Sequence, residues 1–143
     1  MSKKIQIVSK TAQVGEVEEL CRAVADEVEA LIKEKEAEGK KVILGLATGS
    51  TPLLFYRELI RRHREEGLSF ENVMSFNLDE YEGLGRDHER SYWAEMWRNL
   101  FDHVDIDPSN VSVPLSIFED AGEAALEYEN AIKEAGGIDW QLL

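Results

Sequence analysis

Apolar residues recur along this chain at two spacings, and segments of one kind alternate with segments of the other. A helical spacing of three to four positions extends over residues 14–35, 52–66, 92–104 and 120–135. Short apolar runs typical of strands occupy residues 5–8, 42–46, 73–78, 111–113 and 138–143. Strands that alternate with helices of this length predict an α/β fold with a doubly wound parallel sheet, a three-layer arrangement of the Rossmann-like or flavodoxin-like type.

The helix boundaries are indicated by residues with special backbone or capping properties. Gly67 is placed to end the second helix, and Ser91 is placed to cap the third. Asp120 and Glu123 have the spacing of a capping box at the start of the fourth helix, which a glycine pair at 136–137 then ends.

The final apolar run, from Ile138 to Leu143, has no crossover segment after it. A parallel strand in such a position would leave one edge of the sheet unpaired. The sequence therefore predicts an apparently truncated sheet, whose open edge near Ile138 to Leu143 pairs with another chain, either in a homo-oligomer or by aggregation.

Length and charge restrict the class of protein. A chain of 143 residues is long enough for one compact domain, and its 43% hydrophobic and 31% charged residues are typical of a globular protein. Its formal net charge of -13 argues against nucleic acid or an anionic membrane as a partner. An anionic small molecule would need a site with a locally positive potential.

The single cysteine, Cys21, excludes an intrachain disulfide and a zinc site built from thiolates. Its neighbours Leu20, Val24 and Val28 recur at helical spacing, so we expect Cys21 to be a packed core residue. The chain has no apolar stretch of about 18 residues and no secretory signal pattern. These features predict a soluble cytoplasmic protein with no membrane partner.

The segment after the run 42–46 has the composition of an anion-binding loop at the start of a helix. It reads GLATGSTP over residues 45–52. Its glycine and hydroxyl residues are Thr48, Gly49, Ser50 and Thr51. Amides at a helix N-terminus have no intrahelical partner and carry the positive end of the helix dipole, while glycine permits close approach and hydroxyls donate to phosphate oxygens. A phosphate site and a strand-to-helix turn without a ligand both fit this loop.

A second polar segment, NLDEY over residues 77–81, follows the run 73–78. In a parallel sheet the carboxyl ends of the strands lie at one edge, so Asp79 and Glu80 should lie near an anion bound by the first loop. A carboxylate beside a sugar phosphate can move a proton between neighbouring carbons if partial burial adjusts its basicity. Asp79 is therefore a candidate catalytic base, although acidic pairs in loops are usually surface residues.

Four segments together resemble the glucosamine-6-phosphate deaminase family: GLATGSTP, LSFENVMSFNLDEYEGL, SYWAEMWRNLFDHVDIDPSNVSVP and GGIDWQLL. They occur in the family's order and spacing, from about residue 42 to the last residue. Phosphogluconolactonases share a similar phosphate loop, but the resemblance to them weakens at NLDEY. Residues 1–143 are thus similar to the N-terminal part of a single sugar-phosphate isomerase and deaminase domain.

This resemblance implies an enzyme that converts glucosamine 6-phosphate to fructose 6-phosphate and ammonia, through ring opening, an enediol-type intermediate and imine hydrolysis. It implies that Asp79 moves the proton between C2 and C1. It places in the substrate site Asp79 together with Thr48, Gly49, Ser50 and Thr51. Ser50 stands where some family members have glycine. The family needs no cofactor, and the resemblance implies no metal, so the expected partner is an amino-sugar phosphate.

The resemblance also implies groups that this sequence does not contain. The family's catalytic histidine lies in a glycine-rich motif directly after the strand that begins here as IDWQLL, and neither His88 nor His103 matches it. We expect His103 to be structural and His63 and His88 to be exposed. Two alternatives to a deaminase stay open. One is a non-catalytic half-domain, truncated or engineered, that binds phosphosugars, and the other is a hydrolase similar to 6-phosphogluconolactonase.

Overall fold

The computed structural model describes residues 3–5, 14–80 and 82–142. Its strands are β1 (Lys3–Ile5), β2 (Val42–Leu46), β3 (Val73–Asn77), β4 (Val111–Ser112) and β5 (Trp140–Leu142). Its helices are α1 (Val14–Ala37), α2 (Thr51–Glu66), α3 (Tyr92–Asn99) and α4 (Ala121–Glu134). Two short 3-10 segments, Phe101–His103 and Pro108–Asn110, connect α3 to β4. Within these residues the strands form one parallel sheet in the order β1-β5-β2-β3-β4.

Helices lie against both faces of this sheet, which confirms the predicted doubly wound α/β fold. Side chains alternate between the two faces along each strand. On one face, Leu44 of β2 belongs to the main core together with Val28 of α1 and Phe55 of α2. On the other face, the ring of Phe76 in β3 meets the ring of Tyr128 in α4 edge-on, with 5.8 Å between the centroids.

Three of the predicted helix boundaries are confirmed by their hydrogen bonds. Gly67 adopts φ 74 after α2 and donates its N–H to the carbonyl of Arg62, a left-handed C-cap that glycine adopts without strain. The hydroxyl of Ser91 accepts the N–H of Ala94 at the start of α3. The carboxylate of Asp120 likewise accepts a backbone N–H in the first turn of α4. Local sequence therefore sets where these helices begin and end.

The prediction of an open edge near Ile138 to Leu143 is wrong. β5 lies inside the sheet, where Leu142 pairs with Ile5 of β1 and Trp140 pairs with Leu44 of β2. The physical reason is the burial of Trp140, which is 0% exposed and whose ring centroid lies 5.7 Å from that of Phe55 in α2. Such a large apolar side chain is stabilised most where neighbouring strands and a helix enclose it.

Other boundaries differ from those predicted. The helix predicted through residue 104 ends at Asn99, because Leu100 has φ -142 and ψ -62 and a 3-10 segment follows. Apolar packing continues across this break, since Phe101 packs edge-on against Trp97 with 5.5 Å between ring centroids. The strand predicted at residues 5–8 is observed as Lys3–Ile5, and residues 6–8 lie outside the described residues.

A buried arginine joins α1 to α2. The guanidinium of Arg62 is 6% exposed and forms ion pairs with Glu58 at 2.9 Å and with Asp26 at 2.8 Å. Arg61 also binds the carboxylate of Glu58, at 2.8 Å. These hydrogen bonds, from Arg61 first and then from Arg62, lower the pKa of Glu58 to about 2 despite the opposing effect of its partial burial. The pairing matters because an unpaired charge at this position would be costly.

We expect Glu58 to make the stability of the fold depend on acidity. Its folded-state pKa lies below its ordinary value of 4.5, so its stabilisation is complete above pH 4.5 and is lost as the pH falls towards about 2. Glu58→Gln should therefore lower the free energy of unfolding at neutral pH and flatten its decline across that interval. Urea denaturation at a series of pH values measures both effects. Glu71→Gln, at an exposed carboxylate, is the control, and an unchanged slope in Glu58→Gln would contradict the prediction.

Candidate functional site

An open cleft of about 430 Å³ lies at the carboxyl ends of the central strands. β2 and β3 pair in register with Leu46 opposite Asn77, so the loops that follow the two strands leave the sheet at the same level. The first loop contributes Thr48, the second contributes Asp79, and β5 contributes Gln141 to the lining. Strand pairing thus brings together three segments that are about 30 and about 60 residues apart along the chain.

The residues predicted from the sequence divide into two groups around this cleft. Thr48, Gly49 and Asp79 line it. Ser50 and Thr51 are not among the lining residues and lie next to it, at the N-cap and first position of α2. The structure therefore places the hydroxyl loop and the candidate base on either side of one opening.

No side chain caps the first amides of α2, where the loop joins the helix. Gly49 has φ 117, a conformation that residues with a Cβ rarely adopt. Ser50 holds the N-cap position with φ -77 and ψ -32, and its hydroxyl makes no capping bond. Pro52, in the first turn, has no N–H to satisfy. The positive end of a 16-residue helix is consequently available beside Gly49.

Tyr56 holds the beginning of this loop in place. Its hydroxyl accepts the N–H of Ala47 at 3.1 Å and donates to the carbonyl of the same residue. The side chain is 1% exposed, and this burial raises the pKa of the phenol far above its ordinary value, so the hydroxyl remains a donor. Sequence reasoning missed Tyr56 because the residue also fits the apolar face of α2.

Asp79 lies two residues beyond the end of β3, where its side chain is exposed at the cleft. Proton transfer by Asp79 was expected to depend on partial burial of its carboxylate, but the side chain is exposed in the structure. Any catalytic use of Asp79 must therefore depend on where its oxygens point.

Glu80, the other acidic residue expected near a bound anion, is engaged with a helix. Its two carboxylate oxygens accept the backbone N–H groups of Tyr92, at 2.7 Å, and Trp93, at 3.0 Å. A carboxylate at a helix N-terminus satisfies unpaired donors and interacts favourably with the helix dipole. Glu80 thus helps to build the site by binding α3.

Three polar residues of the lining were not singled out from the sequence, namely Asn77, Tyr92 and Gln141. Asn77 is 1% exposed, and its side-chain oxygen has no hydrogen-bond partner among the described residues. Gln141 pairs with Gly45 of β2, and its side chain passes over that glycine. A Cβ added at Gly45 would lie only 3.0 Å from the Cγ of Gln141. A glycine inside a buried strand often marks such a close approach, so Gly45 is the signal that could have indicated Gln141.

The histidines lie outside the lining of the cleft. His103 has the expected structural contacts, with its ring nitrogens 2.8 Å from the carbonyl of Arg98 and 3.0 Å from the guanidinium of Arg64. His88 is exposed, as expected. The expectation that His63 is exposed is wrong, because its ring is half-buried and lies 2.7 Å from the carbonyl of Leu68.

Residues 3–5, 14–80 and 82–142 contain no cluster of three or more His, Cys, Asp or Glu side chains arranged to hold a metal ion. Among the helices of these ranges, none is long and apolar enough to cross a membrane.

A larger depression of about 580 Å³ adjoins the cleft at Tyr92, but acidic residues such as Glu95 and basic residues such as Arg98 line it together. Its mixed charge gives no preference for an anion.

Comparison with known proteins gives a consistent match. The profile of the family described as glucosamine-6-phosphate isomerases/6-phosphogluconolactonase matches residues 15–143. A glucosamine-6-phosphate deaminase from Thermoanaerobacter sp. (strain X514) is 46% identical over 126 residues, which cover 88% of this chain and 48% of that protein. A protein of the same name from Corynebacterium kroppenstedtii is 53% identical over 100 residues, which cover 70% of this chain and 39% of the relative. The chain thus spans about half the length, or less, of these curated relatives.

Solved structures agree with this match. The structure of a monomeric glucosamine-6-phosphate deaminase superposes with a TM-score of 0.83 at 38% identity, covering 99% of this chain and 54% of that one. A 6-phosphogluconolactonase from Thermotoga maritima superposes with a TM-score of 0.71 at 21% identity, covering 97% of this chain and 58% of that one. The second likeness shows the fold alone.

We expect Tyr56→Phe to destabilise the loop at the start of α2. The change removes one hydroxyl and leaves the N–H and the carbonyl of Ala47 without this partner, which should cost about 1–3 kcal/mol in the free energy of unfolding. Urea denaturation measures the loss, and amide hydrogen exchange at Ala47 should accelerate more than exchange at Leu44, inside β2. Equal acceleration at the two amides, or no loss of stability, would mean that the hydroxyl does not hold the loop.

Proposed function

Because the chain belongs to the family of glucosamine-6-phosphate isomerases and 6-phosphogluconolactonases, we propose that it carries the phosphate loop and the proton-transfer base of a glucosamine-6-phosphate deaminase. The observation that carries this proposal is that Thr48, Gly49 and Asp79 line one cleft. A sugar phosphate bound there has its phosphoryl group beside Gly49 and its first two carbons on the side of Asp79.

The loop binds the phosphoryl group mainly through its backbone. The chain carries a net charge of -13, so a phosphate ester is repelled by the protein as a whole. The uncapped amides at the start of α2 oppose that repulsion locally, and they do so without a cationic side chain. The hydroxyls of Thr48, Ser50 and Thr51 add donors to the phosphate oxygens.

Asp79 moves a proton within the open-chain sugar. The carboxylate removes the proton from C2, which bears the amino group, and returns a proton to C1, while the amino nitrogen loses one proton and the C1 oxygen gains one by exchange with solvent. The aldehyde carbon thus becomes a hydroxymethyl group and C2 becomes an imine. Water then adds to the imine carbon, ammonia leaves, and a ketone forms at C2. The oxidation of C2 balances the reduction of C1, and the products are fructose 6-phosphate and ammonia.

We further propose that residues 1–143 correspond to the N-terminal half of the family's single domain. The coverage of relatives supports this, since a match over 99% of this chain accounts for 54% of the deaminase of known structure. The histidine implied by the family resemblance then comes from the other half of the domain, in the same polypeptide or a separate one.

A second candidate is a phosphosugar-binding module without catalytic activity. The observation that favours it is the exposure of Asp79. Groups that act together in catalysis lose most of their effect when one is absent, so a base without its partners would bind substrate with little turnover. Binding and turnover must therefore be measured separately.

We expect Asp79→Asn to abolish turnover and leave binding nearly unchanged. Removing a general base costs about 100-fold or more in rate, whereas an amide of the same shape preserves contacts with the sugar. Ammonia release gives the rate, and isothermal calorimetry with glucosamine 6-phosphate gives the dissociation constant. Asp87→Asn, at an exposed carboxylate outside the cleft lining, is the control. Unchanged turnover in Asp79→Asn would refute the assignment of the base, and binding without turnover in a protein that contains both halves of the domain would favour the second candidate.

We expect Gly49→Ala to weaken the binding of the phosphate ester. Alanine at φ 117 is strained, so the loop must change shape and its amides lose their alignment. An increase of about tenfold or more in the dissociation constant for glucosamine 6-phosphate corresponds to the loss of one charge-assisted hydrogen bond. Gly15→Ala, in α1 where nothing lies within 4 Å of the added methyl group, should leave binding unchanged. Equal dissociation constants for the two variants would mean that the loop at Gly49 does not bind the phosphate ester.

A further inference from the structure

The segment that carries Asp79 is tied to α3 on its C-terminal side. Each of the two carboxylate oxygens of Glu80 accepts one backbone N–H from the first turn of that helix, the donors being Tyr92 and Trp93. Two bonds to one planar carboxylate restrict its rotation as well as its position. The backbone of Glu80, which is bonded directly to Asp79, is therefore held against α3.

The same segment is tied to α4 on its N-terminal side. The hydroxyl of Tyr128 lies between the carbonyl oxygens of Asn77 and Ser112, the last residues of β3 and β4, and shares its proton between them. Burial raises the pKa of the phenol far above its ordinary value, so the hydroxyl stays protonated and keeps donating. The edge-on contact with the ring of Phe76 fixes the direction of the side chain. Tyr128 thus locates the point at which the segment leaves β3.

Asp79 lies between these two hydrogen-bonded positions, two residues after Asn77 and directly before Glu80. Its own side chain is exposed, so the packing of neighbours does not restrict it as packing restricts a core residue. Neither Glu80 nor Tyr128 is among the residues that line the cleft. Both consequently influence the site through the backbone on either side of Asp79.

We propose that Glu80 and Tyr128 are positioning residues that fix the place and direction of the Asp79 carboxylate in the cleft. This inference rests on the proposed function, because it assigns to Asp79 a contact with the bound amino sugar. Fixing the backbone before and after Asp79 restricts where its exposed carboxylate can lie. A misplacement of about 1 Å at a reacting group can cost about 100-fold in rate, so two ties of this kind matter for proton transfer.

The test compares Glu80→Ala, Glu80→Gln and Tyr128→Phe with the unaltered chain. Glu80→Gln keeps one acceptor oxygen and loses the other, so its effect should be intermediate, and it preserves a folded variant if Glu80→Ala fails to fold. Glu82→Gln, in the same segment, and Glu129→Gln, next to Tyr128 in α4, are controls at exposed carboxylates. Calorimetry measures the dissociation constant for glucosamine 6-phosphate. Carbon NMR of carboxyl-labelled aspartate measures the shift of the Asp79 resonance on binding, which requires no turnover, and ammonia release gives kcat and KM.

We expect the dissociation constant to stay within about threefold in all variants, since the phosphate loop is untouched. The ligand-induced shift of Asp79 should fall to less than half in Tyr128→Phe and Glu80→Gln and further in Glu80→Ala, while both controls retain it. Where turnover is measurable, kcat should fall about 10- to 100-fold in the same order with KM nearly constant. A full Asp79 shift in Tyr128→Phe and Glu80→Gln would overturn the positioning proposal alone. Failure of the unaltered chain to bind the sugar phosphate would overturn the proposed function and this inference together.

Discussion

The parallel pairing of β2 with β3 is the interaction on which the rest of this structure depends. The register places Leu46 opposite Asn77, so two loops about 30 residues apart in sequence begin side by side. Both strands are buried on both faces, and a slip of one residue in this parallel ladder would move every side chain of the strand to the opposite face of the sheet. A cleft between the loop at Thr48 and the segment at Asp79 therefore follows from the core that fixes this register.

Helices then make the ends of the strands rigid. Tyr56 from α2 bonds both backbone groups of Ala47, Tyr128 from α4 bonds the carbonyl of Asn77, and the carboxylate of Glu80 bonds two amides of α3. Each of these side chains satisfies a backbone group at the edge of the cleft, where the sheet no longer does. Parts of the chain that are otherwise irregular thereby acquire defined positions, which a catalytic or binding site requires.

The fold class, the end of α2 and the starts of α3 and α4 were predictable because they depend on local properties. Periodicity identified the alternation of strands and helices, and the cap at Ser91 and the left-handed turn at Gly67 lie where the residue types indicate. The error at β5 has a different origin. Chain order suggested an edge strand after the last helix, whereas the burial of Trp140 against Phe55 and the pairing with β1 place that strand inside the sheet. Strand order depends on packing throughout the core, so it cannot be read from a short stretch of sequence.

The sequence by itself determined which segments are strands and helices, the loop chemistry of Thr48 to Thr51, and the acidic residue at Asp79. These features depend on residue type and on near neighbours, so a linear pattern contains them. Only the tertiary structure decided that Asp79 is exposed, that Glu80 binds α3, and that Asn77 and Gln141 lie in the same cleft. Burial and contact arise from residues distant along the chain, and they exist only once the strands have paired and the helices have covered them.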